Sequence, residues 1–219
     1  MLYNEIRYLI AKDIQLELRQ KYALNGIVLY VVSSVFITYL SFGDIINSTT
    51  WNALFWIIFL FSAINAISKS FIQENLARQL YYYTLASPVG VILSKIIYNI
   101  VLTILLALLN YAIYSIWMGD NAINHGLFIC NLLLGATGIA SVLTMVAAIA
   151  WRSHNNFTLM AILSFPLVLP LLLSLIRVSA KAVVGDGFAT SVNILFMIIL
   201  LNFIAIALAV LLFPYLWKD

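Results

Sequence analysis

Charge is scarce in this chain: Asp, Glu, Lys and Arg make up 9% of its 219 residues, against about 25% in a soluble domain. With 64% hydrophobic residues, nearly the whole length goes into apolar segments and short connections, which leaves no room for a soluble catalytic domain. The single cysteine, Cys130, excludes an internal disulfide, and the C-x-x-C-H pattern of covalent haem attachment is absent. No G-x-x-x-x-G-K-[ST] loop is present to cradle nucleotide phosphates, so ATP hydrolysis would have to come from another chain. No D-D-x-x-D cluster marks a lipid-phosphate enzyme. The apolar runs carry ionisable residues only near their ends, which disfavours proton relays and ion-coupled transport. Low-complexity tracts and clear internal repeats are also missing. The first 22 residues mix charge with hydrophobicity and lack a small-residue cleavage site, so the expected mature protein starts at Met1 and forms one domain, 1–219.

What is present is six long apolar runs, at 23–42, 51–67, 91–118, 126–151, 156–176 and 190–216. Each is near or above the roughly 20 residues that cross a bilayer as a helix, with the second the shortest. Arg7, Lys12, Arg19 and Lys21 precede the first run. Lys69, Arg78 and Lys95 fall around the gap between the second and third, Arg152 follows the fourth, and Lys218 follows the sixth. Only Arg177 and Lys181 occupy the other gaps. Cytoplasmic loops retain Lys and Arg, so the alternation predicts a multi-pass bacterial inner-membrane protein with both termini inside. The net charge of +3 is orientation charge and implies no nucleic-acid partner.

The N-terminal segment 1–22 reads differently. Leu2, Ile6, Leu9, Ile10, Ile14 and Leu18 recur at helical spacing, with Glu5, Lys12, Asp13 and Arg19 on other faces. This predicts an amphipathic interfacial helix along the inner leaflet, with Glu17 and Lys21 as an i, i+4 pair. Trp51, Trp117, Trp151 and Trp217 fall at span ends and are expected at the headgroup level. Outward connections are expected at 43–50, 119–125 and 178–189, with Asp44, Asp120 and Asp186 one to each. Asn65, Asn99, Asn110, Asn131 and Asn202 are candidates for hydrogen bonds between helices. The fourth run is rich in small residues, including Gly135, Ala136, Gly138 and Ala140. They suit either packing within the bundle or the seam of a homodimer.

Two features go beyond a generic bundle. The segment 68–90 contains S-F-I-Q-E-N-L-A-R-Q-L-Y-Y-Y-T-L-A-S-P, helix-compatible up to a break at Pro88. Its Phe71, Leu76, Leu80 and Tyr81–Tyr83 interleave with Glu74 and Arg78. Such a helix either docks into a partner's groove or rests on lipid. The fifth run contains F-P-L-V-L-P-L-L-L, in which Pro166 and Pro170 each remove a backbone hydrogen bond and are expected to kink or unwind the helix.

Taken together, the N-terminal amphipathic helix, six spans, the segment between the second and third, and the double-proline fifth span resemble the CcmB family. These are permease subunits of the cytochrome c maturation ABC system, with type-2 ABC exporter architecture. The resemblance covers nearly the whole chain. Its most specific parts are Phe71 to Glu74, Leu85, Ser87-Pro88 through Lys95, and L-V-L-P-L-L-L around Pro170; Ala77-Arg78-Gln79 stand where the pattern has a glycine. The resemblance implies an all-α, non-catalytic membrane subunit served by a separate CcmA-like cytoplasmic ATPase. It also implies CcmC-like and CcmD-like membrane subunits and a CcmE-like periplasmic haem chaperone. Phe71, Glu74, Arg78 and Leu80 would form the ATPase contact, and Pro166 and Pro170 a mechanical kink. Haem would be a ligand moved or handed over by the complex, and release of the haem-loaded chaperone is the favoured role. Haem iron takes axial His, Met or Cys ligands, but His125 and His154 fall on opposite sides of the membrane and cannot share one iron. His125 is therefore read as an ordinary surface residue. The competing expectation is a type-2 permease exporting a lipid, drug or polysaccharide, which would use the same coupling segment without maturation partners.

Overall fold

The computed structural model describes residues 2–19, 21–42, 46–72, 86–152 and 157–218. Seven helices are present among them: α1 (Leu2–Arg19), α2 (Lys21–Phe42), α3 (Ser48–Ile72), α4 (Pro88–Met118), α5 (His125–Arg152), α6 (Phe157–Val184) and α7 (Phe188–Lys218). The last six are each long and apolar enough to cross a membrane, so the all-helical, six-span reading holds with an N-terminal helix added. The second crossing is not the shortest, because α3 has 25 residues against 22 in α2.

The bundle is organised around α5, the most enclosed span, which packs on α3, α4, α6 and α7. Its glycines are what let α3, α6 and α7 approach closely. A Cβ placed on Gly135 would lie 3.0 Å from Leu175 and Trp56, and one on Gly138 would overlap the Asn202 side chain and come within 2.7 Å of Leu171. Between bundle packing and a dimer seam, these two glycines serve the bundle.

Apolar packing gives little specificity between helices in lipid, where hydrogen bonds and close contact do the sorting. Asn99 Nδ2 donates to Thr144 Oγ1 at 2.9 Å, tying α4 to α5, and Asn131 Nδ2 donates to the Leu175 carbonyl at 2.9 Å, tying α5 to α6. Asn202 on α7 donates to the Leu134 carbonyl at 2.9 Å and to Thr137 Oγ1 at 3.0 Å. These three asparagines act as the sequence suggests. Asn110 is fully buried, but neither amide atom has a hydrogen bond among the described residues. Asn52 was not singled out, yet its Nδ2 donates to the Ile176 carbonyl at 3.0 Å while its Oδ1 accepts from Ser179 at 2.7 Å.

Trp51 corrects the belt expectation. It is fully buried, stacks on Phe55, meets Tyr114 and Phe128, and donates its indole N–H to the Gly119 carbonyl at 3.0 Å. The Gly119 carbonyl at the end of α4 and the surrounding aromatic rings draw the indole into the bundle and away from lipid. Trp117 is half-buried against Phe36, with ring centroids 5.1 Å apart. The side chains of Trp151 and Trp217, like Asp44, lie outside the described residues.

The fifth span also extends. Its helix, Phe157–Val184, covers the apolar run and continues past its end at 176, so the connection to α7 shrinks from 178–189 to 185–187. Leu175, Val178, Ser179, Ala182 and Val183 are all buried, a helical stripe that continues past the charges. Arg177 is exposed, and Lys181 Nζ reaches the Thr190 carbonyl at 2.6 Å, so both stems flank the helix while their charges reach polar surroundings. The helix ends at Gly185, whose φ of 93° is a left-handed turn open to glycine.

Candidate coupling site

The proposed ATPase-contact residues divide sharply in what can be described. Phe71 belongs to the last turn of α3, and Glu74, Arg78 and Leu80 lie outside the described residues, as does His154. The structure does show how the exit of that segment is fastened.

At its exit, Ser87 caps α4. Its backbone is extended, with φ −77° and ψ 141°, its Oγ accepts from Gly90 N at 3.1 Å, and Pro88 takes the first helical position, where the missing N–H is harmless. Pro88 is therefore a helix start, and the third span begins there, three residues before the apolar run. A second cap comes from another helix. Glu5 on α1 accepts from Ser87 N at 2.6 Å and from Ser87 Oγ at 3.0 Å, placing a carboxylate at the positive end of α4. Gly90 makes this approach possible, because a Cβ there would lie 2.6 Å from Glu5 Oε1.

Two turns further along, Lys95 Nζ lies 3.3 Å from both carboxylate oxygens of Asp13, and Lys12 Nζ lies 3.1 Å from Asp13 Oδ1. Asp13 and Lys95 are 5% exposed, so this is an enclosed ion pair and not a surface one. Beyond it, buried Glu17 and Tyr98 meet in the wall of a common cavity. The pairs Glu5 with Ser87 and Asp13 with Lys95 are each 82 residues apart, and Phe36 with Trp117 continues nearly the same offset in α2. Thus α1 and then α2 run alongside α4 in the same direction. The amphipathic helix turns its carboxylates toward α4 and leaves Leu2 and Ile14 exposed.

At the other end of α4 the loops form a second polar group. Tyr111 Oη donates to Asp120, 3.1 Å from Oδ2, and stands 3.3 Å from His125 Nδ1. His125 Nδ1 is 3.5 Å from Asp120 Oδ2, and both side chains are substantially exposed. Asn124 links this loop to the α6–α7 turn by donating to the Asp186 carbonyl at 2.8 Å, while its own N–H donates to the Ala182 carbonyl at 2.9 Å.

The proline pair lies away from both ends. α6 is helical through Pro166 and Pro170, so it does not unwind. Both rings are exposed on the outer face, and Val168 and Leu171 turn inward. Prolines on the outer face suit a helix that bends around the core, and Ser174 Oγ donates to the Pro170 carbonyl at 2.9 Å.

A family model for the CcmB protein matches residues 4–214. The chain belongs to the CcmB family. No curated protein and no solved structure matches it. For a CcmB-family chain, the match takes in α1 from Asn4 onward, the whole 68–90 segment, the proline-bearing α6 and nearly all of α7. Glu5, Asp13 and Glu17 therefore lie within the shared region. Sequence reading missed their role, although Lys95 inside an apolar helix and acidic residues along one side of α1 were the available signals.

Proposed function

We propose that this chain is the membrane permease subunit of an ABC complex acting in cytochrome c maturation, and that it converts ATP hydrolysis by a separate CcmA-like subunit into release of the haem-loaded chaperone. CcmB membership over 4–214 carries the reading and favours it over a lipid, drug or polysaccharide exporter. In this reading the α1 end of the bundle faces the cytoplasm of a bacterial inner membrane, in line with its Lys and Arg content. CcmC-like and CcmD-like subunits complete the complex, and haem is its cargo.

The geometry supports a mechanical role for 68–90. One end of the segment continues from α3, and the other is held by Glu5 at the start of α4. A push on Phe71, Glu74, Arg78 or Leu80 by the ATPase would act directly on α3, α4 and the attached α1. Replacing Phe71 and Leu80 together with Asp puts charge into an apolar contact. It is expected to abolish copurification of the ATPase while leaving membrane insertion intact. Unchanged copurification would remove the segment's assigned role.

Pro166 and Pro170 would provide the bend that shifts during the cycle. Each deprives a carbonyl one turn back of its donor, and replacement by alanine restores the ladder and favours a straighter state. The Pro166→Ala, Pro170→Ala double variant should insert and recruit the ATPase but fail in cytochrome c assembly, with haem-loaded chaperone accumulating. Full assembly in that variant would reduce the bend to packing.

A further inference from the structure

Arg177 and Lys181 are the only basic residues at the end of the bundle away from α1. Neither has an ion pair among the described residues. The described carboxylates at that end do not serve them: Asp120 meets Tyr111 and His125, and Asp186 comes within ion-pair distance of neither cation. Arg177 is exposed within the apolar membrane stretch Ile162–Val184. It falls in an outer stripe of α6, Pro166, Pro170, Leu173, Arg177, Ala180 and Val184, all exposed, in which it is the one charged residue. Its depth follows from its neighbours. Asn52, one turn into α3, donates to the Ile176 carbonyl, and Asn131, in the second turn of α5, donates to the Leu175 carbonyl. Arg177 therefore leaves its helix one to two turns, about 5–10 Å, inside the end of the bundle, a depth from which a long cationic side chain reaches the phosphate level.

We infer that Arg177 and Lys181 form a binding site for an anionic phospholipid, with its phosphodiester held between the two side chains and an acyl chain along Leu173 and Pro170. A lone guanidinium facing acyl chains is costly and needs a countercharge, and its planar fork matches two phosphate oxygens. Lys181, one turn on, has its Cβ about 5–6 Å from that of Arg177. Its Nζ gives one N–H to the Thr190 carbonyl at 2.6 Å, which leaves two for the phosphate. Ala180 is the smallest side chain on the stripe and leaves room for the head group. A zwitterionic head group brings its own ammonium, which two cations repel, whereas phosphatidylglycerol brings a net negative charge. A packed partner helix is disfavoured, because such contacts favour small residues and this stripe is mostly Pro, Leu and Val.

The test is native mass spectrometry of the full-length chain, purified in mild detergent with any subunits that accompany it, delipidated and offered phosphatidylglycerol and phosphatidylethanolamine at equal concentration. Phosphatidylglycerol should be retained about tenfold better, the effect of one charge-assisted hydrogen bond. Arg177→Gln should remove most of that preference, Lys181→Gln should reduce it, and Arg177→Lys, which keeps the charge and loses the fork, should restore part of it. These positions are at the surface, so the variants should fold as the unaltered chain does. Excess glycerol 3-phosphate, which has no acyl chain, should not displace the lipid. Displacement would make this a site for a soluble phosphate and overturn the inference. Equal retention of the two lipids would also overturn it, as would a phosphatidylglycerol preference undiminished in Arg177→Gln.

Discussion

Asp13→Ala is expected to destabilise the folded chain by about 3–5 kcal/mol, the cost of removing one member of an enclosed ion pair. Lys95 would keep its burial and lose the carboxylate 3.3 Å from its Nζ. Thermal unfolding of the purified protein in detergent would register the loss as a large fall in Tm. The companion Asp13→Leu, Lys95→Met double variant should recover most of it, since an apolar pair of similar volume is often as stable as the buried ion pair. A fall no larger than the ~0.5 kcal/mol typical of surface substitutions would mean that α1 is not held through this pair. Because Glu5 on the same helix holds Ser87, losing α1 should also loosen the entry to α4. In the proposed mechanism, Asp13→Ala would then weaken coupling even where the chain still inserts.

The six crossings could be read from the sequence because length and apolarity are local properties, and lipid imposes both. The fifth runs longer than its apolar run for a local reason as well. Arg177 and Lys181 end an uninterrupted apolar run, but the helix needs only one apolar face there, and Leu175, Val178, Ser179, Ala182 and Val183 maintain it. Counting the helical period instead of the run would have carried the span to Val184. The junction of α1 with α4 was harder to anticipate. Glu17 invited pairing with Lys21 four residues on, worth about 0.3–0.5 kcal/mol at a surface, whereas the structure buries Glu17 beside Tyr98, 81 positions away. The Lys21 side chain lies outside the described residues. No periodicity in α1 says which helix will enclose Glu17. Trp51 fails in the same way: its place at the end of a span suggested the headgroup belt, but the acceptor that draws it inward, the Gly119 carbonyl, is 68 residues distant. The site residues of the 68–90 segment were named from a resemblance, and only the anchors around them are now described.

Gly138→Ala should be the most damaging single-methyl change in the bundle, and Gly126→Ala its matched control on the same helix. A Cβ at Gly138 overlaps Asn202 Oδ1 and comes 2.7 Å from Leu171, so α7, α6 or both must move. Overpacking of this kind costs about 1–3 kcal/mol. Displacing Asn202 also threatens its bonds to the Leu134 carbonyl and Thr137, at about 0.6 kcal/mol each and up to about 1.7. The total is therefore about 2–6 kcal/mol, against which the better helix propensity of alanine returns at most about 1. At Gly126 the nearest atoms to the added Cβ, in Asn124 and Phe188, are 3.6 Å away. There the methyl meets ordinary contact distances, and stability should stay the same or rise slightly. Thermal unfolding of the two variants side by side sets the packing effect at Gly138 against a glycine-to-alanine change that meets only ordinary contacts. A Gly138→Ala protein as stable as Gly126→Ala would mean that α7 can shift away from α5 at little cost. Asn202 would then be a replaceable contact, and the close approach of α5 to its neighbours would have to depend on Gly135 and the Asn131 bond to α6.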